Sequence, residues 1–290
     1  MSLVIAHLGP AGTYAEVAAL QVAAQLQTPQ APMPQAQATQ PTMVTLKPYP
    51  TIAQSLGAIG HQEVDLAVVP VENSVEGGVT MTMDTLWQLE QLQIQQALVI
   101  PIRHALLSTA PQLETIQTVY SHPQALAQCQ QWLATHLPQA QTTPTNSTTE
   151  VLDRIVQNPK IAAIASQRAA ELYQLPIVAC PINDHPDNCT RFLVLGQATS
   201  PGGAYTSLAF SMPTNQPGGL VKMLQIFSQR NINLSRIESR PTKRSLGDYL
   251  FFLDLEADAR DAITQAALRE LASHAETLKI FGSYDLKDWT

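Results

Sequence analysis

The sequence has few of the residues that build disulfide frameworks, metal centres or nucleic-acid interfaces. Its 290 residues include only three cysteines, Cys129, Cys180 and Cys189, which stand singly without CxxC spacing. This set predicts reduced thiols and no metal site. Lysine and arginine number 16 against 23 aspartates and glutamates, for a net charge of −7, and no basic run is present. We therefore expect no nucleic-acid partner, because such a partner needs cations to neutralise its phosphates.

Long hydrophobic runs are also absent. No apolar stretch approaches the roughly 18 residues that a membrane span needs. The first residues, MSLVIAHLGP, lack the basic region and cleavage site of a signal peptide. Apolar residues make up 45% of the chain and charged residues 13%, which is typical of a folded globular protein. We expect a cytoplasmic protein without membrane attachment, containing one large and one smaller domain.

The first two thirds of the chain alternate short apolar runs with helical segments. Apolar runs at 3–8, 65–71, 118–121 and 161–166 each lead through a turn into a helix. This alternation predicts an α/β fold whose ligands bind beyond the strand ends. Two stretches, 25–50 and 141–149, are rich in Gln, Pro and Thr and are predicted to be surface inserts.

The residue composition changes after Gly196. Residues 198–204 (ATSPGGA) form a breaker-rich linker, and the order βαββαβ follows it. Predicted strands lie at 206–212, 232–239, 249–255 and 278–284, with helices at 218–230 and 262–271. The run 249–253 is apolar at every position, so we expect both faces of this strand to be covered.

Polar residues cluster in the turns after the predicted strands. A Gly-Thr turn opening a helix, as at Gly12 and Thr13, can offer free backbone N–H groups to an anion. The turn containing Asn73 and Ser74 offers an amide and a hydroxyl, and Arg191 is suited to bidentate capture of a carboxylate. Each feature has a plainer alternative, namely a helix cap, a turn or a surface arginine. Together they favour a cleft for a small polyanion.

These residues carry a family resemblance. The motifs GPAGTY, VPVENSVEGGV, YSHPQALAQC, AAIAS and NCTRFLVLG resemble, in order and spacing, the catalytic domain of prephenate dehydratases. PGGLVKML and ESRP resemble the two signature motifs of the attached ACT domain. The resemblance implies a two-lobed, type 2 periplasmic-binding-protein-like catalytic domain at 1–197 with a cleft between its lobes. It implies a βαββαβ ferredoxin-like ACT regulatory domain at 204–290.

The resemblance also implies site residues. The residues matching catalytic positions are Thr190, Asn73, Ser121 and Gln128, and Thr190 is the one most closely tied to catalysis. Those matching substrate-binding positions are Gly12, Thr13, Ser74, Ser166, Arg191 and Phe192. Those matching effector-binding positions are Gly218, Gly219, Leu220, Val221, Glu238, Ser239, Arg240 and Pro241. The family commonly has Gly-Ala-Leu-Val where this chain has Gly-Gly-Leu-Val, a small departure.

The implied reaction is the decarboxylating dehydration of prephenate to phenylpyruvate, driven by aromatisation and needing no metal or organic cofactor. Thr190 is expected to donate a hydrogen bond to the leaving hydroxyl. Arg191 is expected to hold the pyruvyl carboxylate, because an ion pair with the departing carboxylate would hinder loss of carbon dioxide. The implied effector is L-phenylalanine, held between ACT motifs across the interface of a homodimer or homotetramer. Arogenate dehydratase and a non-catalytic small-molecule binding protein remain as alternatives.

Overall fold

The structure is a computed structural model that describes residues 2–27, 43–147 and 151–288. The chain as far as Gly196 forms two α/β lobes, and most of the remainder forms a smaller unit with a 4-stranded sheet. The expected α/β class and the βαββαβ order of the smaller unit are confirmed. None of the helices among the described residues is long and apolar enough to cross a membrane.

The two lobes share the chain up to Gly196. The first lobe contains β1 (Ser2–Leu8), α1 (Tyr14–Gln27), β2 (Met43–Tyr49), α2 (Ile52–Gly60), β3 (Leu66–Asn73), β4 (Gly77–Gly78), α3 (Thr80–Gln88) and β5 (Gln93–Pro101). The second lobe contains β6 (Ala105–Leu107), a 3-10 turn (Leu113–Thr115), β7 (Thr118–Ser121), α4 (Pro123–Ala127), α5 (Gln130–His136), β8 (Gln141–Pro144), α6 (Leu152–Ile155), β9 (Ile161–Ala165), α7 (Gln167–Tyr173) and β10 (Ile177–Ala179). The chain then returns to the first lobe as β11 (Cys189–Gly196).

Sheet topology places the cleft at one edge of the first lobe. Strands β1, β2 and β3 are parallel, and β11 runs antiparallel between β3 and β5. The carboxyl ends of β1, β3 and β5 therefore meet the amino end of β11. The chain crosses to the second lobe after Pro101 and returns just before Cys189, so this edge faces the second lobe, whose sheet order is β10-β6-β9-β7-β8. This two-lobed arrangement agrees with the expected cleft.

The predicted surface inserts are partly wrong. Within 25–50, residues 28–42 lie outside the described residues, but Met43–Tyr49 forms β2, paired in register with β1. Within 141–149, Gln141–Pro144 forms β8, paired with β7. Both are edge strands of their sheets. An edge strand tolerates proline and polar side chains because the backbone groups on its outer side bond to no neighbouring strand.

The smaller unit contains the elements of the predicted ACT module. They are β12 (Tyr205–Ser211), α8 (Gly219–Ser228), β13 (Leu234–Pro241), β14 (Tyr249–Leu255), α9 (Ala262–His274) and β15 (Thr277–Tyr284). Both faces of β14 are covered, as expected: Phe251 and Leu253 pack beneath α8 and α9, while Leu250 and Phe252 pack against the first lobe. The sheet order is β13-β14-β12-β15, which leaves β13 at an edge.

The last strand lies within the expected ACT range, 204–290, but belongs to the sheet of the first lobe. β16 (Leu286–Asp288) leaves the smaller unit and pairs in parallel with β5 of the first lobe. Ala97 N also donates to Asp285 O at 3.0 Å. The two units therefore share a sheet edge as well as a packed face.

The linker supplies a stability test at Gly203. Its φ is +152°, and a Cβ there would lie 2.2 Å from the carbonyl carbon of Tyr284. We predict that Gly203→Ala lowers the free energy of unfolding by at least about 2 kcal/mol, because main chain cannot move aside. Gly57→Ala, in α2 with nothing within 4 Å of its Cβ, is the control and should stabilise by about 0.5–1 kcal/mol. Urea unfolding of both variants checks this, and equal effects would contradict it.

Candidate active site and regulatory module

Asn73 is the best-connected polar side chain at the cleft edge. Its Oδ1 accepts hydrogen bonds from the backbone N–H groups of Val75 and Glu76, each at 3.0 Å. These two bonds fix the amide, so its Nδ2 faces the amino end of β11. There it lies 2.9 Å from Thr190 Oγ1 and 2.9 Å from Asn188 Oδ1.

The Asn73 amide determines what the Thr190 hydroxyl can do. Thr190 lies directly opposite Asn73 in the β3–β11 pair and is 8% exposed. Its oxygen accepts the Asn73 N–H, and no acceptor for its own proton is found among the described residues. A hydroxyl arranged in this way is a hydrogen-bond donor held ready for a ligand.

A chain of buried side chains extends from this pair into the second lobe. Asn188 Nδ2 donates to Gln128 Oε1 at 2.9 Å, and the same oxygen lies 2.9 Å from His104 Nε2. The His104 Nδ1 atom is 3.3 Å from the Tyr14 hydroxyl. Gln128 Nε2 donates to Glu76 Oε1 at 3.2 Å, which fixes the orientation of the Gln128 amide. Gln128 therefore joins the two lobes at the cleft.

This network assigns a protonation state to His104. Because Gln128 Oε1 accepts, Nε2 of His104 carries the proton and Nδ1 accepts from Tyr14. Burial lowers the pKa of His104, although the Gln128 hydrogen bond opposes this. Burial also raises the pKa of Tyr14, so the phenol stays protonated and can donate. The chain is thus a neutral hydrogen-bonded relay.

Sequence reasoning did not select His104, Asn188, Tyr14 or Glu76 as site residues. Tyr14, Glu76 and Asn188 lie inside motifs that were singled out, but only their neighbours were chosen. His104 lies in the run ALVIPIRHALL, where Arg-His interrupts apolar residues at the crossing between lobes. That interruption was the available signal.

Ser166 and Gly12 meet across the lobes. Ser166 Oγ donates to Gly12 O at 2.6 Å and accepts from Ala169 N at 3.0 Å, where it caps α7. Ser166 thus joins the second lobe to the first at the cleft, as the Gln128–Glu76 bond does.

The anion site expected at Gly12 and Thr13 is already occupied by the chain itself. Gly12 N donates to Glu16 Oε2 at 2.5 Å, and Thr13 Oγ1 donates to Leu8 O at 3.2 Å. A carboxylate in the first helical turn satisfies the N–H that a substrate carboxylate would use. The expectation that this turn binds a substrate anion is wrong for the conformation described.

Two serines expected in the site support its backbone instead. Ser121 is 1% exposed and its Oγ donates to Ile164 O at 2.7 Å, which links β7 to β9. Ser74 Oγ accepts from Cys189 N at 3.0 Å, which joins the turn after β3 to β11. The Ser121 proton is bound to Ile164 O, so a donor role for Ser121 toward a ligand is not supported.

Arg191 and Phe192 do not face a substrate. Arg191 Nη2 lies 2.6 Å from Asp254 Oδ2 in the smaller unit and 2.9 Å from Glu72 Oε2. Successive strand residues point to opposite faces, so Thr190 faces the cleft and Arg191 faces away from it. Phe192 is 2% exposed in the core beneath α1. These contacts do not support the assignment of Arg191 to the pyruvyl carboxylate or of Phe192 to the substrate.

The glycine motif begins α8. Gly218 has a φ of +79° and caps the helix, and a cavity of about 530 Å³ lies beside Gly219 and Lys222. Leu220 packs partly into the core, while Val221 is 56% exposed. Gly218 is exposed with nothing within 4 Å of a Cβ there, so a ligand could approach its backbone, whereas Gly219 is buried in the wall of the cavity.

The side chains of the second effector motif alternate between the two faces of β13. On β13, Ser239 and Pro241 are exposed, whereas Glu238 and Arg240 turn toward the first lobe. Arg240 Nη2 pairs with Asp84 of α3 at 3.1 Å, and Glu238 pairs with Arg236 at 2.7 Å. Within one chain, strand alternation turns the side chains of Glu238 and Arg240 toward the packed face, and their role in effector binding stays a prediction.

Potential metal ligands and thiols are a further class of candidate functional groups. Among the described residues, no group of three or more His, Cys, Asp or Glu side chains could hold a metal ion. The three cysteines are free, and burial raises the pKa of Cys129 to about 12, so its thiol stays protonated.

Comparison with known proteins identifies the family. The family model described as prephenate dehydratase matches residues 5–200, which contain the Asn73–Thr190 pair. The chain belongs to the prephenate dehydratase family. The ACT domain model matches residues 206–273.

Two relatives and one solved structure are similar to this chain over most of its length. A prephenate dehydratase of Mycobacterium sp. (strain JLS) is 36% identical over 284 residues, covering 97% of this chain and 88% of the relative. A bifunctional chorismate mutase/prephenate dehydratase of Aquifex aeolicus is 39% identical over 239 residues, covering 82% of this chain and 66% of the relative. The crystal structure of an Arthrobacter aurescens prephenate dehydratase in complex with L-Phe has a TM-score of 0.83 at 33% identity, covering 98% of this chain and 90% of that one.

His104 offers a direct test of the relay. We predict an imidazole titration midpoint below about 6.5, the ordinary value, with the proton on Nε2 at neutral pH. The unfolded chain then takes up a proton that folded His104 resists, so this residue's contribution to stability is lost as pH falls below about 6.5. Nitrogen-15 NMR of labelled histidine measures both properties. A raised midpoint or an Nδ1–H tautomer would contradict the assigned network.

Proposed function

We propose that the protein converts prephenate to phenylpyruvate, carbon dioxide and water at the Asn73–Thr190 pair. The observation that carries this proposal is the hydrogen bond from Asn73 Nδ2 to Thr190 Oγ1, which leaves the threonine proton free to donate. Membership of the prephenate dehydratase family supports it.

The reaction needs neither a strong general acid nor a strong general base. The C–C bond to the ring carboxylate breaks, its electron pair makes the ring aromatic, and the ring C–O bond breaks so that hydroxide leaves and takes up one proton. Thr190 supplies a hydrogen bond to that departing oxygen. A threonine hydroxyl is too weak an acid to transfer its proton freely, so the contribution is electrostatic stabilisation in a buried site.

The position of Arg191 suits this reaction. With its guanidinium on the far face of β11, the cleft face beside Thr190 receives no formal charge from that arginine. A cation beside the departing carboxylate would stabilise the charged ground state more than the transition state, which leads to neutral carbon dioxide. Turning the charge away therefore favours decarboxylation.

Thr190 gives the decisive test. We predict that Thr190→Ala lowers kcat for prephenate by at least about a hundredfold, as loss of one preorganised donor does, while the unfolding midpoint stays near wild type. Thr190→Ser, the matched control, keeps the hydroxyl and should retain most of the activity. Phenylpyruvate formation measures both variants, and near-normal turnover in the alanine variant would remove Thr190 from the mechanism.

The same assay separates the alternatives. Arogenate supplied in place of prephenate tests whether the aminated substrate is preferred. A protein that binds either compound by calorimetry but converts neither would be a binding protein. Membership of the prephenate dehydratase family favours the enzyme over the binding protein.

We further propose that L-phenylalanine regulates the enzyme through the ACT domain, in a cytoplasmic homodimer or homotetramer. Support comes from the Arthrobacter aurescens relative, whose structure is a complex with L-Phe. The helix start, with exposed Gly218 and cavity-lining Gly219, is one wall of the proposed site, and the exposed residues Ser239 and Pro241 are the other. β13 is a free sheet edge with Ile237 48% exposed, so a second copy can pair there. Light scattering of the purified protein would distinguish dimer, tetramer and monomer.

The effector site is tested at Gly219. We predict that Gly219→Val raises the L-phenylalanine concentration for half-inhibition by at least about tenfold, because branched methyl groups would cover the helix start. Ser228→Val, at the other end of α8, adds the same side chain away from the site and should leave inhibition unchanged. Calorimetry with L-phenylalanine checks binding directly, and unchanged affinity in Gly219→Val would place the effector elsewhere.

A further inference from the structure

Strands β3 and β11 each carry a cleft residue next to a charged residue that faces the ACT sheet. In the register of this pair, Thr190 lies opposite Asn73, and Arg191 lies opposite Glu72. Alternation along a strand sends the first pair to the cleft and the second pair to the opposite face. Both members of the catalytic pair are therefore one peptide bond from a charge that points out of the cleft.

The ACT domain binds both of these charges. Asp254 Oδ2 is 2.6 Å from Arg191 Nη2, and Arg191 Nη2 is 2.9 Å from Glu72 Oε2. Arg236 lies between Asp254 and Glu72, with Nη1 3.8 Å from Asp254 Oδ2 and Nε 3.9 Å from Glu72 Oε1. We call Glu72, Arg191, Arg236 and Asp254 the floor cluster.

The floor cluster is buried except at Glu72, whose side chain is 39% exposed. The side chains of Asp254, Arg236 and Arg191 are 5%, 8% and 12% exposed. Ser207 Oγ donates to Asp254 Oδ1 at 2.5 Å and lies 2.7 Å from the Tyr284 hydroxyl. Burial disfavours a charge on Arg191, but Asp254, Tyr284 and Glu72 outweigh it and raise its pKa, so the guanidinium stays ionised.

Stability alone does not account for such a cluster. Buried ion pairs are often no more stabilising than apolar side chains of similar size, because each charge loses its hydration. What an ion pair adds over an apolar contact is direction, since the charged atoms tolerate few relative positions. Here that direction is imposed on the two strands that hold Asn73 and Thr190.

We propose that Asp254 and Arg236 of the ACT domain are positioning residues for the dehydration, holding β3 and β11 so that the Asn73 amide meets the Thr190 hydroxyl. This inference rests on the proposed function of that pair. Displacement of a reacting group by about 1 Å can lower the rate a hundredfold. A shift of the floor cluster would therefore move Thr190 and lower kcat. The ACT sheet is thus part of the support of the active site.

A double-mutant cycle on kcat tests the proposal. Asp254→Asn keeps the shape of the side chain and removes its charge. We expect it to lower kcat by at least about tenfold with KM within about threefold, because only the positioning of Thr190 changes. In a Thr190→Ala background the same substitution should lower kcat by less than about twofold, because no hydroxyl remains to be positioned.

Asp84→Asn is the matched control. Asp84 on α3 also receives two ACT cations, Arg240 at 3.1 Å and Lys243 at 2.7 Å, but it pairs with neither β3 nor β11. It should leave kcat within about twofold of wild type. Unfolding midpoints are recorded for all variants. If Asp254→Asn fails to fold, Arg236→Gln carries the same cycle, since Arg236 reaches both Asp254 and Glu72.

The outcomes separate the two proposals. If wild type does not turn over prephenate, the proposed function fails first. If wild type is active but Asp254→Asn loses the same factor in both backgrounds, its effect does not pass through Thr190 and the positioning role is overturned. Retention of kcat within about twofold in Asp254→Asn, or in Arg236→Gln where that variant carries the cycle, would also overturn it.

Discussion

The antiparallel pairing of β3 with β11 is the constraint on which the rest of this molecule depends. It brings together Asn73 and Thr190, which lie 117 positions apart in the chain. It also closes the first lobe after the chain has made its excursion through the second. Because the pairing fixes register, it decides simultaneously which side chains face the cleft and which face the ACT sheet. The same strand pairing thus sets the geometry of the candidate site and the docking of the ACT sheet.

The lobes are joined at the cleft by polar side chains rather than by an apolar seam. Ser166 bonds Gly12 across the cleft, and Gln128 bonds both Glu76 and Asn188. Such contacts are directional but can be exchanged for water at little net cost. Lobes held in this way can separate to admit a ligand, whereas interdigitated apolar side chains would resist opening. The polarity of the seam is therefore suited to an active site that must open and close.

Much of the architecture could be predicted from the sequence, because strand and helix periodicities and turn residues are local signals. The ACT module and the two covered faces of β14 follow directly from such patterns. Edge strands were missed at β2 and β8, where Thr, Gln and Pro obscure the apolar alternation. For these strands, pairing with a neighbour outweighs intrinsic composition.

The candidate site was predicted less completely, because a motif names residue types but not the face that each side chain takes. Arg191 is predicted to bind a substrate carboxylate and Arg240 to bind the effector, yet both are bound to carboxylates of the chain itself. Gly12 was chosen for its free N–H, which Glu16 takes from four residues ahead. His104 was missed because its partners come from distant parts of the chain. Such assignments require the register and the long-range partners, which only the folded chain supplies.

The packing of the ACT sheet explains how a regulatory domain can affect chemistry without entering the cleft. Its inner face places Leu250 and Phe252 in the same core as Leu193 and Leu195 of β11. Apolar contacts of this kind hold two sheets together but allow small sliding movements. The floor cluster adds a polar contact within the same interface, where sliding would separate paired charges. An interface with both components has few low-energy positions, and a ligand that favours one of them in the ACT domain necessarily favours one arrangement of β11. Because Thr190 is adjacent to Arg191 on that strand, the last step of such a coupling, from the floor cluster to the candidate site, is a single peptide bond.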